Sequence, residues 1–482
     1  MRRISPLWAL LSVGALASCV DGQSTAVDEE DIGEAPSAIV SKCDYLDPAL
    51  FAPLAPLVSF PRELMITDRT VIDDGCRTTW GVPCGPSKAV WTFGKLMTRM
   101  AGTVPPQVFV ADWLHSWEVG NVVNGFPVPA RPGIRTKIIN PWLVASGCPA
   151  GAPIVGVGAC PLDLTKAPFR LLGISNRVDL SDAGFGAGEP GEARFIFGAT
   201  ANGDPILGAA LQYTVILEYK LPSQRGGAPY NALNWATDWH VLSDAAAVGP
   251  IGSFAYLTHL EGILNDITMP GVEPGNPNLG NAIGQVRTNE IEGGPNWKLR
   301  EYHLRDVGAG INAERLRLEP LLQTPDDSKL FSASLDTFLF NNSLALPSTN
   351  LMDFTHVVPS GMSGGESTAP FLWAHSIPGT LNPLERHHFG LDTCNGCHQL
   401  ETNTAFVHLA PRGPGGITIL SGFLSTSDAS TPSGTPVAIF NVVDPAGSGA
   451  VFQYSEPWRR VCESTRILNG DPNPWTRGNG AH

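Results

Sequence analysis

The residues Cys394-Asn395-Gly396-Cys397-His398 spell C-x-x-C-H, so any fold of this chain has to bring two thiols and an imidazole to one point. The spacing is the attachment signature of a covalent c-type haem, in which the thiols add across two vinyl groups and the histidine reaches the iron as its proximal ligand. With nine Cys and eleven His in 482 residues, composition alone yields the pattern on the order of 0.004 times. The same side chains also suit a local disulfide, or a zinc ion completed by His387, His388 or His408.

Seven of the eleven histidines, His356, His375, His387, His388, His398, His408 and His482, lie in the last quarter of the chain. A six-coordinate haem needs a second axial ligand, and small class I cytochromes take it from a Met well after the motif. This chain has no Met after Met362. The distal candidates are therefore His408, His387, His388, Met352, Met362 or an open position. A continuous helix from His398 would carry His408 about 15 Å along its axis, so His408 can ligate only across an intervening turn. Glu401 and His408 equally suit roles as pocket residues. A thioredoxin-like C-x-x-C needs a buried strand leading into it, and Glu385-Arg386-His387-His388-Phe389-Gly390 is too polar for one. Gly361-Met362-Ser363-Gly364-Gly365 fits the G-x-S-x-G of hydrolases, but in a glycine-rich chain with Pro370 close behind it reads as a loop.

The chain opens with Met1-Arg2-Arg3 and an apolar run from Leu7 to Leu16, the charged and hydrophobic regions of a secretory signal, too short to span a bilayer permanently. Leu16-Ala17-Ser18-Cys19 closely resembles the lipobox of bacterial lipoproteins. That resemblance implies cleavage before Cys19, a diacylglycerol on its thiol, and anchoring in the cell envelope, with the outer membrane as the expected site. Residues 1–18 are then the signal. Residues 19–42, with Asp28-Glu29-Glu30-Asp31 and almost no large apolar side chain, read as a solvated acidic tether. Beyond Cys19 and the motif, six cysteines remain, an even number that fits three disulfides in an exported protein. Short loops favour Cys76 with Cys84 and Cys148 with Cys160, leaving Cys43 for Cys462. The net charge of −14 and the absence of long basic runs exclude nucleic acid as a natural partner.

Gly 52 and Pro 42 favour short elements joined by long ordered loops. Pro86-Ser87 reads as the cap of a helix carrying Val90, Phe93, Met97 and Met100, and a second helix carries Val110, Trp113, Leu114 and Trp117. Residues 124–168 read as loops and edge strands. Strands follow at 169–174, 193–199 and 209–221, the last with Leu211, Tyr213, Val215, Leu217 and Tyr219 on one face. Helical spacing returns at Trp235, Trp239 and Leu242, then at Phe254, Leu257, Leu260 and Leu264. A hairpin spans 284–291 and 297–304, and a helix carries Phe331, Leu335, Phe338 and Leu339. His240 and His259 read as surface or hydrogen-bonded residues. The order implies an α+β fold, loop-rich, with a mixed or antiparallel sheet and helices packed on one side. Its parts are a body over 43–345 and a C-terminal, cytochrome c-like region over 346–482 that carries the motif.

The words Leu171 to Leu180, Ala193 to Gly198, Gln285 to Glu290 and Thr393 to His398 resemble a family of large exported lipoproteins of myxobacterial type. The resemblance runs from about Val90 onward and implies export and a single C-x-x-C-H, with no catalytic residue. Together these readings give an expectation of one haem c held by Cys394, Cys397 and His398, with His408 as a distal candidate and zinc as the alternative. The expected work is electron transfer to a partner protein. The competing reading is a surface-binding or structural lipoprotein.

Overall fold

The computed structural model describes residues 58–181, 190–273, 280–305, 314–343, 358–359, 361–374, 383–404, 407–425, 440–454 and 456–470. They all fall within one compact unit, Ser41–His482, in which the expected boundary at 345/346 is internal. The signal, Cys19, the tether, Cys43, Met352, His356, His375 and His482 lie outside the described residues.

The fold is α+β, organised on a sheet whose neighbouring strands are all antiparallel. Its strands are β1 (Met65–Ile66), β2 (Phe169–Ser181), β3 (Pro190–Thr200), β4 (Ala210–Lys220), β5 (Ile283–Glu290), β6 (Trp297–Arg305), β7 (Arg315–Glu319) and β8 (Ser367–Ala369). β1 to β7 lie side by side in chain order, a meander, and β8 shares the outer edge of β6 with β7. β7 pairs Glu301–Arg305, whereas β8 pairs Trp297–Leu299. β8 therefore brings the chain back to the sheet just before the C-x-x-C-H region.

Alternation divides the sheet into two faces. On the first, Phe169, Phe195, Phe197, Tyr213, Val215, Leu217, Tyr219, Val286 and Tyr302 form one continuous apolar core with the helices. These are α1 (Phe93–Ala101), α2 (Pro106–Glu118), α3 (Asn140–Ala145), α4 (Ala232–His240) and α5 (Phe254–Thr268). α4 and α5 pack on this one side, as the sequence reading has it, but helices of the C-terminal region cover the other side as well. Four details differ. α1 starts at Phe93, because Thr92 and not Pro86-Ser87 caps it, accepting from Lys95 N at 3.3 Å. Residues 135–145 are helical where loops and edge strands were expected, and they bury Trp142. Phe254 is exposed at the first position of α5. Phe331 is exposed, with φ of 61°, ahead of α6 (Ala333–Ser343).

Disulfides join Cys76 to Cys84 and Cys148 to Cys160. Cys462 is also disulfide-bonded; its expected partner, Cys43, is not among the described residues.

The second face is polar yet buried. Paired strands set three rows across it: Ser175, Arg194, Glu218 and Gln285; Ile196, Ile216, Arg287 and Glu301; and Gly198, Thr214, Asn289, Leu299 and Ser367. The C-terminal region covers it with α7 (Pro383–Asp392), α8 (Cys394–Cys397) and α9 (Glu456–Leu468). A second apolar cluster joins Met65, Leu172 and Ile196 of the sheet to Leu391, Cys397, Leu409, Phe452 and Trp458.

Candidate functional site

The C-x-x-C-H is one short helical turn fixed at both ends. Thr393 caps it, its hydroxyl accepting from Gly396 N at 3.1 Å and donating to Gly390 O at 2.7 Å. A Cβ on Gly396 would stand 2.1 Å from Gly390 O, so only glycine fits there. Asn395 is fully buried, accepting from Trp373 Nε1 at 2.9 Å and donating to Asp327 Oδ1 at 3.1 Å. Thr324 Oγ1 accepts from Cys394 N at 2.8 Å. Cys394, Asn395 and Gly396 are thereby held before any ligand is considered.

Both thiols are reduced and buried. Cys394 packs with Leu299, Leu321 and Val407, and burial, opposed by the Arg287 charge, pushes its thiol up. Cys397 Sγ lies 3.4 Å from His408 Nε2, while His408 Nδ1 meets Ser421 Oγ at 2.9 Å. Burial first, then the neighbouring His398 and Arg460, holds the His408 imidazole well below its usual range. It is neutral at pH 7.

His398 follows the turn, and its Nδ1 stands 3.2 Å from Asn289 Nδ2. Asn289 Oδ1 is buried and makes no hydrogen bond to a described residue. An amide is set by its hydrogen bonds, and its two ends are interchangeable in shape. Turned over, Asn289 offers Oδ1 to an Nδ1–H, which leaves the lone pair on Nε2, the tautomer of a metal-bound histidine.

Cys394, His398 and His408 line a cavity of about 70 Å³ between the C-terminal region and the second face of the sheet. That volume holds several waters, so a larger group must displace them and part the lining. One wall is apolar, with Met65, Ile196, Ile216, Leu299, Leu409 and Leu424. The other carries Arg177, Arg194, Arg287 and Arg460, and among the described residues no carboxylate lines it. The acids stand one layer back. Arg287 Nε meets Glu301 at 3.1 Å, and Arg194 Nη2 meets Glu192 at 2.8 Å. Burial opposes ionisation of Glu301, but Arg287 and His303 hold it below the ordinary range.

The chemistry of the site fits an iron porphyrin: two reduced thiols at the attachment spacing, Cys394 in the lining and Cys397 in the adjoining apolar cluster with Leu391 and Leu409, an imidazole with a tautomer-setting amide, and an apolar wall. The distal candidate is less well placed. The His398 and His408 rings lie 4.9 Å apart between centroids, whereas imidazoles on opposite sides of one metal stand about 6 Å apart with bonds of about 2 Å. As placed, His408 is the partner of Cys397. His387 is held by Glu401, Nδ1 to Oε2 at 2.6 Å, and stacks on Phe452 at 3.7 Å. Arg386 joins Glu401 to Asp444 at 2.6 Å. Glu401 N also donates to Gly396 O at 3.0 Å, which ties this network to the motif. Among the described residues, no group of three or more His, Cys, Asp or Glu side chains is arranged to hold a metal ion.

No family model, curated protein or solved structure matches the chain. The site therefore rests on its own geometry. Ser363 lies in a turn entering β8, not at a strand-to-helix elbow, which removes the structural context of a hydrolase nucleophile. Sequence reasoning missed Arg177, Arg194, Arg287, Asn289 and Arg460. The first four interrupt otherwise apolar strands, and an arginine out of phase with the core is a readable sign that the opposite face is covered.

Proposed function

We propose that this is an exported protein, anchored through lipid on Cys19, that carries one haem c on Cys394 and Cys397 with His398 on the iron and passes single electrons to an envelope partner. The observation that carries the reading is that Cys394 and Cys397 are both buried and outside any disulfide, with Cys394 and His398 lining an amphipathic cavity, while Cys76, Cys84, Cys148, Cys160 and Cys462 are all in disulfides. Each thiol adds its S–H across one vinyl C=C, forming a C–S and a C–H bond with no net oxidation. Asn289 orients His398 by accepting its Nδ1–H, and Thr393 and Asn395 fix the turn. When bound, the iron supplies one-electron chemistry. The acidic surface, net charge −14, favours a partner with a basic docking patch.

The test is a haem stain and pyridine haemochrome spectrum of protein exported with its own signal in a host that matures c-type cytochromes. Covalent haem is expected, and Cys394→Ala with Cys397→Ala abolishes it. A folded, exported but colourless protein overturns the reading, and metal analysis of that sample tests zinc.

A further inference from the structure

We propose that Arg177 and Arg460 form a binding site for a carboxylate attached to an apolar body, seated in the cavity between the sheet and the C-terminal region. This inference stands without the haem reading, because the carboxylate can belong to a porphyrin or to a free organic acid.

Both arginines are 1% exposed and line the cavity. Arg177 spends Nε and Nη2 on the two oxygens of Asp179, at 2.9 and 3.0 Å. Its Nη1 is buried and makes no hydrogen bond to a described residue. Arg460 Nε donates to Glu456 Oε1 at 2.9 Å, and Arg459 also holds Glu456, with both bonds at 2.8 Å. Arg459 in turn reaches Asp179 at 2.7 Å. Among the described residues no carboxylate lines the cavity, and Arg177 Nη1 is a buried donor left for a ligand there. A buried donor without an acceptor is costly, and a bound carboxylate supplies one.

Further along the same wall, Arg194 and Arg287 add positive potential while their acids stand behind them. A guanidinium fork matches the planar oxygens of a carboxylate. The facing wall of Met65, Ile196, Ile216 and Leu424 accepts an apolar body rather than a second charge. The electrostatics agree: burial first, and Arg177 second, push Arg460 down to about 9, a repulsion that an anion between the two relieves.

Titrations on the full exported chain carrying Cys394→Ala and Cys397→Ala keep covalent haem out of the cavity. The probes are benzoate against benzamide, and haemin against haemin dimethyl ester, followed by tryptophan fluorescence. At least one acid is expected to bind about 10-fold or more tightly than its neutral analogue, and Arg460→Gln, which leaves Glu456 with Arg459, weakens that acid about 10- to 100-fold. Arg460→Lys keeps the charge without the fork and serves if the glutamine variant fails to fold, with about a 10-fold loss expected. Haemin preferred over its ester assigns the carboxylate to a porphyrin. Benzoate binding without haemin binding assigns it to a free organic acid, and with a colourless wild type the haem reading fails while this one holds. Neutral analogues binding as well as both acids, or no binding by either acid, overturns the proposal.

Discussion

Asp327 shows how one side chain couples the motif to pH. Its Oδ1 accepts from Asn395 Nδ2 at 3.1 Å and its Oδ2 from Thr368 N at 3.1 Å, so it ties the C-x-x-C-H turn to β8. Burial raises its carboxyl from 3.8 to about 6, against the Thr368 hydrogen bond and the Lys298 charge. Between pH 4 and 6 the folded protein holds this proton more tightly than the unfolded chain does. Stability from this residue therefore falls as pH rises through that window, and the penalty is complete above pH 6. The gap is worth at most about 3 kcal/mol, less what residual solvent contact removes. Asp327→Asn is expected to gain on the wild type from pH 4 to pH 6 and to keep a constant margin above that in urea denaturation. Equal pH slopes for the two proteins would show that Asp327 does not carry this linkage.

At the scale of elements, the helix α1 separates what periodicity reveals from what it hides. The spacing of Phe93, Met97 and Met100 gives the helix and its buried face, and all three are buried. The start depends on which hydroxyl meets the first free N–H groups, and that is local geometry. Pro86-Ser87 belongs instead to a separate short turn at Gly85–Ser87, whereas Thr92 both accepts from Lys95 N and donates to Ala89 O at 2.8 Å. Thr92→Ala is expected to cost about 1 kcal/mol, read as a lower urea midpoint at unchanged slope. Unchanged stability would return the cap to the upstream turn. The hairpin β5–β6 was legible for a different reason: two alternating runs flank Glu292-Gly293-Gly294-Pro295-Asn296, whose residues permit little but a turn. The stretch at 135–145 was not, because Pro132, Gly133 and Pro141 masked a short helix whose stability comes from burying Trp142.

For the molecule as a whole, alternation in β4 told which face meets the helices but not what meets the other. Gln212, Thr214, Ile216, Glu218 and Lys220 read as a mixed face, and the C-terminal region, far along the chain, covers Thr214 and Glu218. The cavity was illegible for the same reason. Arg177, Arg194, Arg287 and Arg460 come from three strands and one terminal helix, and no local pattern announces their meeting. That arrangement predicts cooperative unfolding across the 345/346 boundary. α9 docks through Arg459 on Asp179 of β2, both 2% exposed, and β8 is a strand of the main sheet. Losing the C-terminal region would strip cover from Asp179, Arg194, Glu218 and Arg287 and expose Leu172 and Ile196 beside them, so the sheet has little reason to survive alone. In protein made without haem maturation, maleimide labelling of Cys394 and Cys397 reports the C-terminal region, while far-UV circular dichroism reports the sheet and helices. The two urea midpoints are expected to coincide. Thiol exposure preceding the loss of secondary structure by about 1 M urea or more would make the C-terminal region a separately folding cover, and the buried polar face would then be an interface that opens while the rest of the fold stays intact.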